Sequence, residues 1–383
     1  MRLLMISHDA ARTGAPIVLL HHLKQFRMNG YFDFDCFLLR DGALRSEFEG
    51  LSATYKLEVP GVVERIRNKF LKTISGEQKA VEKLTKRYQL AFGNTAVTCS
   101  FLKEMKLLQG AKTVCHVHEL EYAIKHFVGQ ERFRDAIPYI DHFLAASYAV
   151  KDNLVKNYKI PASKVTVHYE YIPVPADAAI APKHDVFTVC GSGTLDWRKG
   201  IDIMMQVALV LKHKANTSFK FLWIGGEKGT IEYERAKFDL ERMGLTDVFE
   251  LIETCTNPHD YIRSCDLFFL TSREDPFPLV CLEAAALGLP IMCFDKAGGM
   301  IEFVNENNGW VVPYLDVNRA AATLLEVMND RANAKEKGVL AQKEVSQYDI
   351  IIGEKKLSKF LLNLMNGQHS MAPKKEDACQ ETI

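Results

Sequence analysis

The sequence predicts an α/β protein built from two successive doubly wound, Rossmann-like parallel sheets. Three observations predict it. Short apolar runs alternate with longer amphipathic segments along the chain, the pattern of buried strands joined by crossover helices. The chain has 383 residues, too many for one ordinary domain of about 150. A proline-rich passage, Ile172-Pro173-Val174-Pro175 to Pro182, breaks the alternation, which then restarts. The expected domains are 1–172 and 173–365, with a loose polar tail over 366–383. A ligand of such a protein is expected in a cleft facing the carboxyl ends of both sheets.

Leu3–Ser7 reads as the first strand, followed by a polar loop, Asp9–Ala15. A helix then begins near Pro16, whose missing N–H would be unpaired in a first turn anyway. Further strands are expected at Phe34–Leu39, Gln89–Phe92, Thr113–Val117 and Phe143–Ala146, with helices between them. One of those helices, around Gly61–Leu90, is basic, with eight Lys/Arg against three Glu. It suits an anionic membrane surface, an anionic acceptor or plain solvent equally. Past the prolines come strand Phe187–Cys190, helix Ile201–Lys212 and strands at Lys220–Gly225, Phe249–Ile252, Leu267–Leu270 and Ile291–Phe294.

Composition excludes several classes. Forty-eight basic residues balance forty-eight acidic ones, so the global basic excess of a nucleic-acid binder is absent. Nine scattered cysteines with no CxxC pair argue against a disulfide framework or a structural zinc, and fit a reducing cytoplasm. No apolar run approaches the roughly 20 residues of a spanning helix, and the apolar start at Met1–Ser7 is shorter than a signal-peptide core. A cytoplasmic protein is expected, at most peripheral at the inner membrane face.

Three strand-to-helix loops carry candidate chemistry. Gly14 precedes the first helix, where backbone can approach a phosphate, although a simple turn reads the same way. Gly191–Gly200 leaves backbone exposed and brings Arg198 and Lys199 to a helix mouth, which suits a diphosphate or a solvated turn. It is neither a P-loop nor a dinucleotide fingerprint. In Thr271–Ala284, Pro276 and Pro278 stiffen the loop, and the amides of Phe277, Leu279 and Val280 remain to hold an anion. Glu283 falls in an otherwise apolar helix, where a carboxylate is costly unless it faces a cleft or a structural arginine. His116 and His118 lack further convergent ligands, so no metal is expected. Asp33-Phe34-Asp35 spells a DxD but precedes the second strand and reads as surface strand entry.

Asp275 and Glu283, separated by seven residues, resemble the acidic signature of family 4 glycosyltransferases, with Glu274 adjacent to the first position. Gly298-Gly299-Met300-Ile301-Glu302 and Asn308-Gly309 resemble its GGxxE and NG segments. Thr194–Gly200 resembles its basic loop, Lys199 matching, with Ser192-Gly193 where the family carries Arg. Thr13-Gly14-Ala15-Pro16, Asn94-Thr95 and His116-Val117-His118-Glu119 extend the resemblance into the N-terminal half. The resemblance implies the two-domain GT-B architecture and a retaining, metal-independent transfer. The sugar would pass from a nucleotide-diphosphate donor to a hydroxyl of a glycan or lipid-linked glycan, in cell-surface polysaccharide biosynthesis, with no cofactor. It implies that Lys199, Arg198 and amides near Gly14, Phe277, Leu279 and Val280 hold the diphosphate, Glu283 the ribose and Asp275 the hexose. His118 would lie beneath the sugar, its ring or carbonyl stabilising positive charge at the reacting carbon, while His116 points the opposite way. The rival readings are another GT-B enzyme, such as a nucleotide-sugar epimerase, and a non-catalytic nucleotide-sugar-binding module.

Overall fold

The computed structural model describes residues 2–58, 75–175 and 186–367. It divides into two compact units, Met1–Glu170 with Ile350–Ile383, and Tyr171–Asp349. The N-terminal unit holds a seven-stranded parallel sheet of order β3-β2-β1-β4-β5-β6-β7. Its strands are β1 (Arg2–Ser7), β2 (Asp33–Leu38), β3 (Thr54–Lys56), β4 (Leu90–Asn94), β5 (Lys112–Val117), β6 (His142–Ala145) and β7 (Val165–Val167). Alternation along β1 explains why it reads as one apolar run. Leu3 and Met5 pack into one buried cluster, Leu4 and Ile6 into the cluster on the other face.

The C-terminal unit repeats the plan with six parallel strands in the order β10-β9-β8-β11-β12-β13. These are β8 (Phe187–Ser192), β9 (Phe219–Ile224), β10 (Phe249–Ile252), β11 (Leu267–Leu270), β12 (Ile291–Phe294) and β13 (Gly309–Val312). In each unit the strand order reverses beside the first strand, so the loops after β1 and β4, and after β8 and β11, open at a topological switch point. The helices that matter below are α1 (Gly14–Asn29), α2 (Cys99–Gln109), α3 (Ile201–Lys214), α4 (Pro258–Arg263), α5 (Leu279–Ala286) and α6 (Ile350–Met365). No helix among the described residues is long and apolar enough to cross a membrane.

Several expectations change. The strands β3, β7 and β13 are additional. The domain limits 173–365 do not hold at the C-terminal end, because α6 returns to the N-terminal unit. Leu357 and Leu361 are fully buried in one cluster with Leu3, Met5 and Phe26, and Asn29 Nδ2 donates to Glu354 Oε2 at 3.1 Å. An amphipathic helix buries its stripe wherever an apolar face lies open, irrespective of sequence distance.

The basic segment 61–90 falls partly outside the described residues. What is described is a short helix, Gly76–Glu82, ending well before β4. Asp35 is not at the surface: it is buried, accepting hydrogen bonds from Tyr88 Oη at 2.7 Å and Lys86 Nζ at 2.9 Å.

Shortening Leu361 to Ala should cost about 2–5 kcal/mol, the range for a buried leucine that leaves a cavity. Urea denaturation followed by tryptophan-independent circular dichroism measures it. A loss well below 1 kcal/mol would mean that α6 is not part of this core.

Candidate active site

The loop after β8 is shaped by glycine where side chains have no room. At Gly200 φ is +75°, and a Cβ there would meet the Thr271 carbonyl oxygen at 2.2 Å. A Cβ on Gly225 would meet the Gly193 carbonyl at 2.3 Å. The backbone is therefore pressed between neighbouring loops, and the tight turn Trp197–Lys199 forms with Asp196 accepting from the Arg198 N–H at 2.7 Å. Arg273 locks it from outside: its guanidinium donates to the Trp197 carbonyl at 2.6 Å, pairs with both Asp202 oxygens and stacks over the Trp197 ring. That residue lies in the candidate segment, but nothing in its spacing revealed the anchoring task.

This turn brings Arg198 and Lys199 onto Asp275. Lys199 Nζ donates to Asp275 Oδ2 at 2.7 Å, Ser272 Oγ donates to the same oxygen at 3.1 Å, and Arg198 Nη1 stands 3.7 Å away. Arg198 Nη1 also donates to the Glu274 carbonyl at 2.8 Å. Burial alone would raise the Asp275 carboxyl; the charges of Lys199 and Arg198, with the Lys199 and Ser272 hydrogen bonds, outweigh it and hold the group below its usual value. Both side-chain hydrogen bonds to the Asp275 carboxylate fall on Oδ2 among the described residues.

Asp275 is further seated by its own backbone, its N–H donating to Ala297 O at 2.7 Å and its carbonyl accepting from Gly299. The GGxxE stretch thus supports the acidic loop mechanically. Pro278 is the N-cap of α5, so the Leu279 and Val280 amides have no partner within the helix and face its positive end. Phe277 is buried, its ring stacked on Tyr348 at 5.5 Å. Among the described residues, Glu283 is not paired to an arginine. Its Oε2 lies 3.3 Å from His259 Nε2, on α4, and the pair is partly exposed. The hydrogen bond to Glu283 raises the His259 imidazole above its ordinary value against a smaller burial effect.

In the N-terminal unit the three stretches that carried the resemblance are joined by hydrogen bonds. Thr13 caps α1 with no side-chain bond, so Gly14 opens a helix with free first-turn amides. Asn94, at the end of β4, donates from Nδ2 to the Ala15 carbonyl at 2.7 Å, and its Oδ1 meets His118 Nε2 at 2.8 Å. Glu119 Oε2 accepts from the N–H groups of Ala96 and His118 at 3.0 and 2.9 Å. Thr95, between them, holds φ at +88°, a strained setting for a β-branched residue, with its N–H on the His116 carbonyl.

His116 does not point away from His118. Residues two apart on a strand share a face, and the two ring centroids lie 4.0 Å apart. His168 and His22 extend the group, at 5.4 Å from His116 and 5.5 Å from His168 respectively. Burial drives the imidazoles of His22, His116 and His118 down to about 3, so all three are neutral near pH 7. Glu170, which sequence reasoning passed over, contacts His118 Nδ1. It belongs to no motif, and only the path of the chain after β7 brings it here.

Among the described residues, His116, His118 and Glu170 place ligand-type atoms within 4.8 Å of one another, close enough to hold an ion. The site fits a metal poorly, because these atoms already satisfy each other: Glu170 closes on His118 directly, and His116 Nε2 donates to the His168 carbonyl at 3.1 Å. A cavity of about 800 Å³ in the C-terminal unit is lined by Thr194, Asp196, Trp197, Gly226, Arg235 and Thr254. It borders the cation turn but includes none of Arg198, Lys199, Asp275 and Glu283.

Residues 176–343 match the family model described as glycosyl transferases group 1. A D-inositol 3-phosphate glycosyltransferase of Thermobispora bispora is 24% identical over 345 residues, covering 85% of this chain and 77% of that protein. An amylovoran biosynthesis glycosyltransferase, AmsK of Erwinia amylovora, is 22% identical over 345 residues, covering 85% of this chain and 79% of its own. Among solved structures, Anabaena Alr3699/HepE in complex with UDP superposes with a TM-score of 0.76 at 20% identity, covering 95% of this chain and 100% of the other.

The buried histidines set a pH dependence. Their folded values lie below the ordinary 6.5, so the unfolded chain binds protons that the folded one does not. Stability is therefore full above about pH 6.5 and falls progressively toward pH 3. Urea unfolding monitored between pH 8 and 5 should show it, and replacing His22 by Gln should flatten the slope. An unchanged slope would mean that His22 is not held neutral by burial.

Proposed function

We propose that this chain is a glycosyltransferase of the GT-B type that transfers a sugar, with retention, from a nucleotide-diphosphate donor to a hydroxyl of a glycan or lipid-linked glycan. The observation that supports this most is the pairing of Lys199 and Arg198 with one buried carboxylate, next to the open amides of α5. Two cations held by one anion leave a net positive site, and a diphosphate restores the balance. A fixed cation pair acts where charge develops on the leaving group and needs no reorganisation at the moment of reaction.

In this mechanism the bond from the anomeric carbon to the diphosphate oxygen breaks as the acceptor oxygen bonds to the same face. The acceptor proton passes to the departing phosphate oxygen. Lys199, Arg198 and the amides of Leu279, Val280 and Gly14 carry the charge of the diphosphate, so the reaction proceeds without a divalent ion. Asp275 anchors Lys199 through Oδ2 and offers Oδ1 to the hexose. Glu283 takes the ribose hydroxyls. His118 lies under the sugar and stabilises positive charge at the reacting carbon. A place in surface-polysaccharide assembly, at the cytoplasmic face of the membrane, agrees with the relative named for amylovoran biosynthesis and with the basic sequence of residues 61–90.

The test is nucleotide release from a panel of UDP-, GDP- and ADP-sugars with EDTA present. One donor should be turned over regardless of EDTA. Lys199→Ala should slow release by about 10²–10³-fold, the cost of removing one preorganised charge-stabilising group, and Glu283→Ala should raise the donor KM. Tight binding without release, with or without acceptors, would leave a binding module; binding of no donor would remove the glycosyltransferase mechanism.

The His259 contact adds a pH effect on the same site. Protonated His259 competes with ribose for Glu283, so the donor KM should rise as pH falls through the raised His259 value. His259→Ala should abolish that rise. A KM profile identical in both proteins would show that Glu283 does not meet the ribose.

A further inference from the structure

His118 is held at both ring nitrogens, and the hydrogen-bond inventory decides which atoms carry protons. The Ala15 carbonyl can only accept, so the Asn94 group facing it at 2.7 Å is the amide N–H. Asn94 Oδ1 is thereby turned toward His118 Nε2, 2.8 Å away, and an oxygen acceptor there requires that Nε2 carry a hydrogen. At the opposite nitrogen, Nδ1 meets Glu170 Oε1. A carboxylate and a bare imidazole nitrogen both accept, so this contact needs one more proton, on the ring or on the carboxyl.

Desolvation decides between the two. The His118 and Glu170 side chains are only 9% and 5% exposed. Separating charge within a dry pair is costly, so the neutral arrangement wins. The same burial keeps the His118 ring neutral, at about 3, with His8 pushing the same way. In that neutral arrangement the proton sits on Glu170, whose carboxyl O–H donates to Nδ1. Glu170 follows β7 and Asn94 is the last residue of β4, so two different strand ends grip one ring. With both ring nitrogens engaged, the unit His118 presents to a ligand is its carbonyl, which accepts no hydrogen bond among the described residues.

We propose that Glu170 is a positioning residue that works as a neutral acid: its O–H and the Asn94 amide oxygen lock His118 as the Nε2–H tautomer and hold the end of β5 in place beneath the transferred sugar. The proposal rests on the reading that His118 faces the donor. Glu170 touches no substrate in this scheme, and its effect reaches the reaction through His118. The expected signature is a loss in kcat rather than in donor affinity, because Glu170 touches neither the diphosphate nor the ribose in this scheme.

The experiment uses the full chain with Glu170→Gln and Glu170→Ala. A glutamine amide N–H donates to Nδ1 as the acid O–H does, so Glu170→Gln should keep kcat within about threefold of wild type. Glu170→Ala should lower kcat by about 10–100-fold, the usual cost of removing the partner that orients a functional histidine, with donor KM within about threefold. Long-range proton–nitrogen spectra should show His118 of the wild type and the Gln variant protonated at Nε2 and not titrating between pH 5.5 and 8. In the Ala variant the ring should lose that fixed pattern. Circular dichroism verifies folding of both variants.

An imidazolium spectrum in wild type, a Gln variant as slow as the Ala variant, or one stoichiometric metal ion per purified chain would each overturn the proposal. If the wild type releases nucleotide from no donor, the functional reading fails on its own, while the tautomer spectra still test the hydrogen-bond assignment.

Discussion

Parallel strand pairing is the constraint on which everything else in this protein depends. When all strands of a sheet run the same way, their carboxyl ends and the N-termini of the following helices gather at one edge. Each unit then acquires, without any special residue, a rim of open amides and positive helix ends. In the C-terminal unit that rim collects the turn after β8 and the loop after β11; in the N-terminal unit it collects the ends of β1, β4 and β5. The chemistry is assembled from loops far apart in sequence, and sheet register decides which of them meet. Asn94 lies directly across from His116 because β4 and β5 pair in that register.

Electrostatic accounting shapes the two rims differently. In the C-terminal unit, burial of Asp275 is tolerable only because two cations and a hydroxyl surround one of its oxygens. That arrangement stores positive charge in a fixed position. In the N-terminal unit burial works the other way and removes charge: His22, His116 and His118 are kept neutral and are held by hydrogen bonds and ring contacts. One rim concentrates positive charge, while the other is held neutral.

Much of this was legible before any coordinates. The alternation of strands and helices, the position of the proline passage and the cations of the turn before Ile201 are local features. Strands β10, β11 and β12 match the predicted limits residue for residue. Glu283 could be singled out because a carboxylate within an apolar stretch is conspicuous, and Asp275 because its spacing from Glu283 resembles a family signature. Glu170, Ser272 and His259 were not, since each stands in a polar or mixed context where its type is unremarkable. Arg273 looked like one more charged loop residue, yet it is the clamp on the cation turn.

What the sequence by itself determined is therefore the set of elements and the inventory of charges: apolar periodicity dictates which segments are strands, and residue type dictates what each can donate or accept. What only the tertiary structure decided is pairing. It sent α6 back to the N-terminal unit, where Leu357 and Leu361 find an open apolar face. It turned His116 and His118 toward one another, gave Glu283 a histidine partner instead of an arginine, and placed Glu170 against a ring 52 residues away in the chain. The physical reason is that burial and hydrogen bonding act through distance in space. A residue's type limits its possible partners, and only the packed fold selects one of them.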